Sequence, residues 1–294
     1  MSEKYLINMT YVNCRLAYHG WPCSPAPLPP LAEQTRIVTR IEELADRVTQ
    51  VRQIRTNVQE EQRRMLLSAF QRVTAGAPRR PMREVAPLVR RPIQVRPELE
   101  YPELGIRSFG KGTFHKEPIP GIGVGSKRLY EIRPGDLVFN NVFAWEGAVA
   151  VAQEGDAGRC GSHRFITCIA AAGVATSQFL CFYFLTDEGL ERLRSASPGG
   201  AGRNRTLGLT ALSQIEVPVP PFETQLWFDD LQRRVDALKS LQNESAKETD
   251  VLLRSILDKA FCGASLARGG GGRPGQRHYP CDHRVPASPG ALGT

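Results

Sequence analysis

The chain has 294 residues, 41% of them hydrophobic, which is enough apolar material for one or two folded domains. Its 38 Lys and Arg against 30 Asp and Glu give a formal net charge of +8, which favours a polyanionic partner such as nucleic acid. The chain has no run of 18 apolar residues and no apolar signal core, and its seven cysteines form no C-x-x-C pair, so we predict a cytoplasmic protein without a membrane span, a zinc ribbon or a disulfide framework.

The first predicted element is a long helix over residues 31–71, inside a segment that we assign to residues 27–73 and that follows 26 unpatterned residues. The helix is preceded by two prolines, which are tolerated before or at a first turn. From position 37 the chain steps by four and three, and eight of ten such positions are apolar. This spacing is typical of a coiled-coil seam. The seam residues expected to pair with another helix are Ile37, Ile41, Leu44, Val48, Val51 and Val58.

Residues 82–216 follow a linker rich in proline and glycine and form the predicted globular domain. Strands dominate it, so we predict a mixed, strand-rich α+β domain flanked by long helices. The tight turn Pro134-Gly135 precedes the first clear strand. The predicted strands cover residues 137–139, 148–152, 165–169 and 215–217, and a helix is predicted over residues 177–194.

A second long helix is predicted over residues 222–262, within a segment assigned to residues 217–263. It repeats the first one, because Pro-Pro-x-x-x-Gln occurs at 29–34 and again at 220–225, and Ala-Phe closes both segments at 69–70 and 260–261. Equal lengths indicate two helical rulers, each about 60 Å long, whereas two ordinary amphipathic helices on a globular core remain the alternative. Its predicted pairing residues are Phe228, Leu231, Val235, Leu238, Leu252 and Ile256. Residues 264–294 are Gly-rich and predicted to be disordered.

The common catalytic arrangements are absent from the sequence, so we predict a binding module without catalytic residues or a metal site of its own. Gly121 to Gly125 lacks the G-x-G-x-x-G spacing of a dinucleotide-binding loop, and we predict a flexible surface loop there. No Walker loop, H-E-x-x-H pair or G-x-S-x-G elbow occurs. An enzyme with an unrecognised site remains a weaker alternative.

Two segments carry residues suited to DNA. In residues 197–206 small residues expose backbone N–H groups beside arginines and an asparagine, which suit phosphates and base edges. Residues 140–147 place two amides beside a tryptophan, and further cations lie in loops. Each segment has an alternative without DNA binding: residues 197–206 would be a solvated surface loop, and Trp145 would fill the core. The candidate DNA-binding residues are Arg107, Lys111, Lys127, Arg128, Asn140, Asn141, Trp145, His163, Arg164, Ser197, Arg203, Asn204 and Arg205.

These motifs together resemble the specificity subunit of type I restriction–modification enzymes. The two Pro-Pro-x-x-x-Gln helices ending in Ala-Phe resemble its spacer repeats, and the stretch from Arg133 to Gly147 with the loop 197–206 resembles a target recognition domain. The resemblance covers roughly residues 27–263. It implies that the two helices pair as an antiparallel coiled coil and that the domain reads half of a split site in double-stranded DNA.

The resemblance also implies partners. The family's subunit has no catalytic residues and no cofactor of its own. It recruits modification subunits, which methylate adenine with S-adenosylmethionine, and restriction subunits, which use ATP and Mg²⁺ to translocate and cleave DNA. This chain departs from the family because no first recognition domain precedes the first spacer, so we expect a truncated form or a half-subunit that pairs with a second copy. The alternative is a coiled-coil interaction module without DNA specificity.

Overall fold

The computed structural model describes residues 30–199 and 205–266, which belong to two compact units. The larger unit is Val51–Glu244, and the smaller one contains the described residues 30–50 and 245–266. The two long helices predicted from the repeat are present. Helix α1 is Leu31–Thr74, with 44 residues, and helix α7 is Phe222–Leu266, with 45 residues. Among the described helices, none combines the length and the apolar character that crossing a bilayer requires.

Between the long helices lies the mixed α+β region that the sequence predicts. The strands of the described residues are β1 (Arg79–Pro81), β2 (Leu88–Val89), β3 (Glu100–Tyr101), β4 (Leu104–Ile106), β5 (Thr113–His115), β6 (Ile119–Pro120), β7 (Leu129–Glu131), β8 (Leu137–Asn140), β9 (Val149–Val151), β10 (Cys160–Ser162), β11 (Phe165–Cys168) and β12 (Glu216–Pro218). Four strands form an antiparallel sheet in the order β2-β11-β8-β9, and the other strands pair as β1–β12, β7–β10, β3–β6 and β4–β5.

Short helices connect these strands. Two of them are 3₁₀ turns, Ala144–Glu146 and Glu154–Asp156. The α-helices between the long ones are α2 (Met82–Val85), α3 (Gly121–Val124), α4 (Ser177–Phe184), α5 (Asp187–Ser195) and α6 (Leu209–Gln214).

The helical segment predicted over residues 177–194 is present, but the prediction of a single continuous helix is wrong. The chain breaks between α4 and α5 because the Thr186 hydroxyl accepts a hydrogen bond from the Gly189 N–H and caps the second helix. A side chain at Gly189 would run into the Tyr183 carbonyl oxygen, so only glycine allows the two helices to turn so closely. The prediction of a flexible loop at 121–125 is also wrong, since Gly121 is buried at the start of the one-turn helix α3.

The core of the larger unit joins the end of α1 to the start of α7. Phe70 and Phe228 lie 5.3 Å apart between ring centroids, and Phe179 and Phe182 of α4 pack on both of them. Such clustered aromatic rings add to the free energy gained from apolar burial. The end of α1, in the first repeat, and the start of α7, in the second repeat, are therefore fixed to the globular region.

The second proline–glutamine motif is explained by Gln225, whose side chain is fully buried. Its amide oxygen accepts from the Thr176 N–H, and its amide nitrogen donates to the carbonyl oxygens of Val174 and Pro220. A buried amide needs such partners, because an unsatisfied polar group costs free energy. The glutamine therefore locks the first turn of α7 to the loop that starts α4.

The predicted pairing residues fall into different environments. Phe228 and Val235 lie in the core of the larger unit and Leu231 packs against it, so these three positions hold the globular region. Val51, Val58 and Leu238 are exposed. The side chains of Leu252 and Ile256 lie outside the described residues. Four seam positions of α1 are half-buried, namely Ile37, Ile41, Leu44 and Val48. The antiparallel coiled coil stays a prediction.

Candidate nucleic-acid interface

The candidate interface is a groove of about 420 Å³ in the larger unit. One wall is the β4–β5 hairpin, which contributes Ile106 and Phe114, and the other is formed where β8 ends and β11 begins, with Asn140 and Phe165. Asn140 and Phe165 are cross-strand neighbours in the four-stranded sheet. Strand pairing therefore brings together residues that lie 25 to 60 positions apart in the sequence.

The groove is lined by basic side chains. Lys116 and Glu103 form an ion pair across 3.4 Å at its edge. Lys127, His163 and Arg164 also line it, and within residues 30–199 and 205–266 none of these three pairs with a carboxylate. A concave wall with unpaired cations concentrates anions, because the positive potential is not cancelled locally. Three of the predicted DNA-binding residues thus face one groove.

His163 and Arg164 occupy the turn between β10 and β11. This turn passes the chain from the β7–β10 pair to the four-stranded sheet. The Arg164 carbonyl oxygen accepts from the Asn141 N–H at 2.8 Å, which fixes the turn against the end of β8. Both side chains are exposed, so they are available to a ligand.

Asn140 and Asn141 play different parts. The Asn140 amide oxygen accepts from the Val142 N–H and shapes the turn after β8, while its amide group also lines the groove. Asn141 acts mainly through its backbone, and its carbonyl oxygen accepts from the Leu207 N–H at 2.7 Å. Its side-chain oxygen is buried and has no hydrogen-bond partner among the described residues, and a role of this amide in DNA binding stays a prediction.

The structure brings the two predicted DNA-binding segments together. The Asn141–Leu207 hydrogen bond is one link, and the second is Arg205, whose guanidinium lies 5.5 Å from the centroid of the Trp145 ring. Trp145 is half-buried, and its indole N–H donates to the Val142 carbonyl oxygen, so the ring is held in a fixed orientation. This cation–π contact positions an arginine without neutralising it.

Two further cationic side chains from the predicted DNA-binding set lie over aromatic rings. The Arg107 guanidinium lies 5.0 Å from the Phe114 ring centroid and donates to the Thr113 carbonyl oxygen. The Lys111 ammonium lies 5.9 Å from the Phe109 ring centroid. Arg128 is exposed next to Lys127 in the turn that precedes β7.

Ser197 differs from its expected surface position. Its side chain is buried and its hydroxyl donates to the Leu193 carbonyl oxygen at 2.7 Å, so it closes the end of α5 instead of facing solvent. Arg203 and Asn204 lie outside the described residues, and their role stays a prediction.

Sequence reasoning missed the aromatic wall and one cation of the groove. Phe114, Phe143 and Lys116 line it, and Phe109 is exposed at the tip of the β4–β5 hairpin. The alternation around Phe114 in Thr-Phe-His-Lys indicates a strand, and the glycines around Lys111 indicate a turn. A hairpin assigned on those signals would have found this wall.

One buried carboxylate supports the same hairpin. Burial alone would raise the pKa of Asp156, but hydrogen bonds from the Gln153 N–H and from the side chains of His115 and Thr113 outweigh burial and lower its pKa. Asp156 therefore stays ionised and ties β5 to the turn before β10. This contact holds the hairpin wall in place.

Two solved structures resemble the chain. The HsdS subunit from Thermoanaerobacter tengcongensis is 24% identical over 81% of this chain and 60% of its own length, with a TM-score of 0.44. A second structure, from work on complex assembly and conformational transition of the type I R-M system, is 22% identical over 80% of this chain and 60% of its own length, with a TM-score of 0.51.

The neighbour with a TM-score of 0.51 shares the mixed α+β fold of this chain, and at 22% identity the likeness concerns the fold alone. The chain spans about 60% of the length of these neighbours. No protein-family model and no curated protein sequence matches it.

Proposed function

We propose that the larger unit binds duplex DNA in this groove and is the recognition module of a type I specificity subunit. The observation that carries the proposal is that three basic residues of the groove, Lys127, His163 and Arg164, have no carboxylate partner among the described residues. Unpaired cations on a concave wall suit the phosphate backbone, which supplies most of the affinity for DNA. The fold shared with the neighbour of TM-score 0.51 supports the same conclusion.

The side chains divide into two roles in this proposal. Arg107, Lys111, Lys127, Arg128 and Arg164 contact phosphates, which fixes the position of the duplex without reading its sequence. The Asn140 amide and the Arg205 guanidinium are suited to hydrogen-bond with base edges, because Asn matches adenine and Arg matches guanine. Arg203 and Asn204 are assigned to base contacts as well.

The long helices carry the assembly role in this proposal. Both display exposed apolar side chains in the larger unit, among them Ile54 on α1 and Leu241 on α7. Exposed apolar residues at helical spacing are suited to contact another protein. We assign modification subunits and, through them, restriction subunits as the partners, acting on DNA in the cytoplasm.

The chain itself is proposed to be non-catalytic. S-adenosylmethionine, ATP and Mg²⁺ serve the partner subunits. Incubation of the chain alone with DNA and these three compounds should leave the DNA unmethylated and uncut. Methylation or cleavage that follows the chain through purification would contradict this assignment.

The other half of a split site is proposed to come from a second copy of the chain, paired through the long helices. Two-fold pairing would make the recognised site a palindrome interrupted by a gap. Light scattering at micromolar concentration should give twice the chain mass for the chain alone, or a complex that contains two copies of the chain when the modification subunit is present. A monomer under both conditions would contradict the pairing.

A coiled-coil interaction module without DNA specificity is the second candidate. The exposed apolar residues of α1 and α7 favour it, because they need a protein partner whether or not the groove binds DNA. It predicts partner binding that is insensitive to the groove cations. A wild-type chain that binds its protein partner but shows no salt-dependent DNA binding would favour this candidate.

Co-expression with the modification subunit tests the proposed function. Sequencing of modified bases in the host genome should show one new methylated motif, and Lys127→Ala with Arg164→Ala should abolish it. The matched control is Arg133→Ala, since this arginine pairs with Glu131 outside the groove. No new motif with the wild-type chain, although it co-purifies with the modification subunit, would contradict the proposal.

A further inference from the structure

The tip of the β4–β5 hairpin has an unusual backbone. Phe109 has a φ of 62°, and it is the one residue other than glycine with a positive φ in the described part of the chain. This left-handed conformation is strained for a bulky side chain, and glycine or asparagine is the usual choice. Such strain persists only where the surroundings enforce it, and it is concentrated at functional sites.

The surroundings of Phe109 do enforce this conformation. Its N–H donates to the Glu146 carbonyl oxygen at 2.9 Å, and the N–H of Gly110 donates to the Gly147 carbonyl oxygen at 3.0 Å. The Ser108 hydroxyl donates to the Glu146 carboxylate, and Gly110 packs against Leu185 so closely that a Cβ there would lie 2.8 Å from it. The hairpin tip is therefore a fixed platform.

The ring on this platform faces solvent. The Phe109 side chain is 72% exposed and belongs to none of the core clusters among the described residues. A single exposed apolar residue needs no explanation by itself. Here, however, exposure is combined with a strained and rigid backbone, and the one ring contact described is with the Lys111 ammonium at 5.9 Å, so most of the apolar ring surface stays available to a ligand.

The position of the ring indicates the ligand. The same hairpin supplies Ile106 and Phe114 to the groove wall, and Phe143 of the wall precedes the 3₁₀ turn that pins Phe109. Arg107 and Lys111 flank the ring, one on each side along the chain. An exposed aromatic ring between two cations fits a stacked base between two phosphates.

We propose that Phe109 is a wedge that inserts between adjacent base pairs of the duplex held in the groove, while Arg107 and Lys111 contact the phosphates on either side. The inference rests on the proposed DNA-binding function. Apolar wedges of this kind unstack one base step and kink the duplex, which lets more protein surface meet the DNA. The rigid platform lowers the entropy lost when the ring inserts.

The test uses the full chain and a duplex that the wild-type chain selects from a random 40-base-pair pool. Adenines of this duplex are replaced one at a time by 2-aminopurine, whose fluorescence rises when the base is unstacked. The wild-type chain should raise the fluorescence at one step. Phe109→Ala should remove that rise and weaken binding by about 5- to 140-fold, the range expected for one aromatic ring stacked on a base.

Two further variants separate the wedge from a structural role. Phe109→Gly removes the ring and relieves the backbone strain, so it should keep or raise the melting temperature while losing the fluorescence signal. Ile122→Ala removes another exposed apolar side chain, 82% exposed, and should change neither binding nor fluorescence.

Failure of the wedge and failure of DNA binding are distinguishable. If Phe109→Ala and Phe109→Gly bind within twofold of the wild-type chain and keep its fluorescence rise, the wedge is overturned and DNA binding stands. If the wild-type chain selects no duplex and shows no salt-dependent binding to the pool, the proposed function and the wedge are both overturned.

Discussion

Two regions of the larger unit use the same residue types in opposite ways. Where α1 ends and α7 begins, phenylalanine rings pack on one another and the buried Gln225 amide has three hydrogen-bond partners. Around the groove, rings hold cations instead, as Phe114 holds Arg107. The first region stabilises the fold, whereas the second keeps charge and aromatic surface available to a ligand.

The arginines inside and outside the groove also differ in their partners. Away from the groove they meet carboxylates, as in the bidentate Arg91–Asp136 pair at 2.6 and 3.0 Å and the Arg79–Glu188 pair at 2.6 Å. Arg164 in the groove has no such partner in the described part of the chain. Paired charges hold elements together, and unpaired charges raise the local potential. The variants below test whether stability and binding separate along this line.

The largest expected effect is on the packed region. Phe228→Ala removes a fully buried ring that lies within 6 Å of three other phenylalanine rings, so it should lower the free energy of unfolding by about 3–5 kcal/mol. Urea denaturation measures the loss. The neighbouring Trp227→Ala is the control, because this side chain is 54% exposed and its removal should cost little. Equal losses for the two variants would contradict the packing assignment.

The next effect concerns the Gln225 lock. Gln225→Ala leaves the Thr176 N–H and the carbonyl oxygens of Val174 and Pro220 without their partner, so unfolding should become easier by about 2–4 kcal/mol. Hydrogen exchange at the Thr176 amide should speed up, while exchange in β8 follows only the global change. Glu223→Ala, an exposed change in the same turn, serves as the control. An unchanged rate of hydrogen exchange at the Thr176 amide would contradict this role of Gln225.

A smaller effect depends on pH. Burial raises the pKa of Asp229 to about 6, against the opposing influence of a Thr176 hydrogen bond and of Arg233, and its buried Oδ1 has no hydrogen-bond partner among the described residues. The folded state therefore holds the proton more tightly than the unfolded state, and stability should fall as pH rises from about 4 to about 6.

Asp229→Asn removes this titration. The variant should match the wild-type chain near pH 4 and exceed it by about 1–2 kcal/mol at pH 8, after allowance for solvent screening. Urea denaturation at several pH values measures the difference, with the exposed Asp236→Asn on the same helix as control. A wild-type advantage at pH 8 would reverse the sign and refute the burial argument.

Local patterns explain which parts of the fold could be predicted. The Pro-Pro starts and the spacing of apolar residues mark α1 and α7 within a few residues, because both signals act within a helical turn. The break before Thr186 was not predictable, since it depends on the close approach of Gly189 to Tyr183. The role of Gln225 depends on partners about 50 residues away, which no local pattern records.

The candidate site was predictable in composition but not in arrangement. Arg164, Lys127 and Asn140 stand out as polar residues in loops, yet only strand pairing brings them to one groove. Ser197 looked like a loop residue because the sequence does not record that its hydroxyl donates back to the Leu193 carbonyl oxygen in the last turn of α5. The exposed, left-handed Phe109 is a product of tertiary hydrogen bonds to Glu146 and Gly147 and has no sequence signature.

The most direct measurement is the salt dependence of duplex binding by the full chain, followed by fluorescence anisotropy. The logarithm of the binding constant should fall linearly with the logarithm of salt concentration. The double variant Lys127→Ala with Arg164→Ala should reduce that slope by about 2, one for each lost phosphate contact, while Arg133→Ala leaves it unchanged. Binding that ignores salt, or a slope that the double variant does not alter, would contradict the assignment of the groove to DNA.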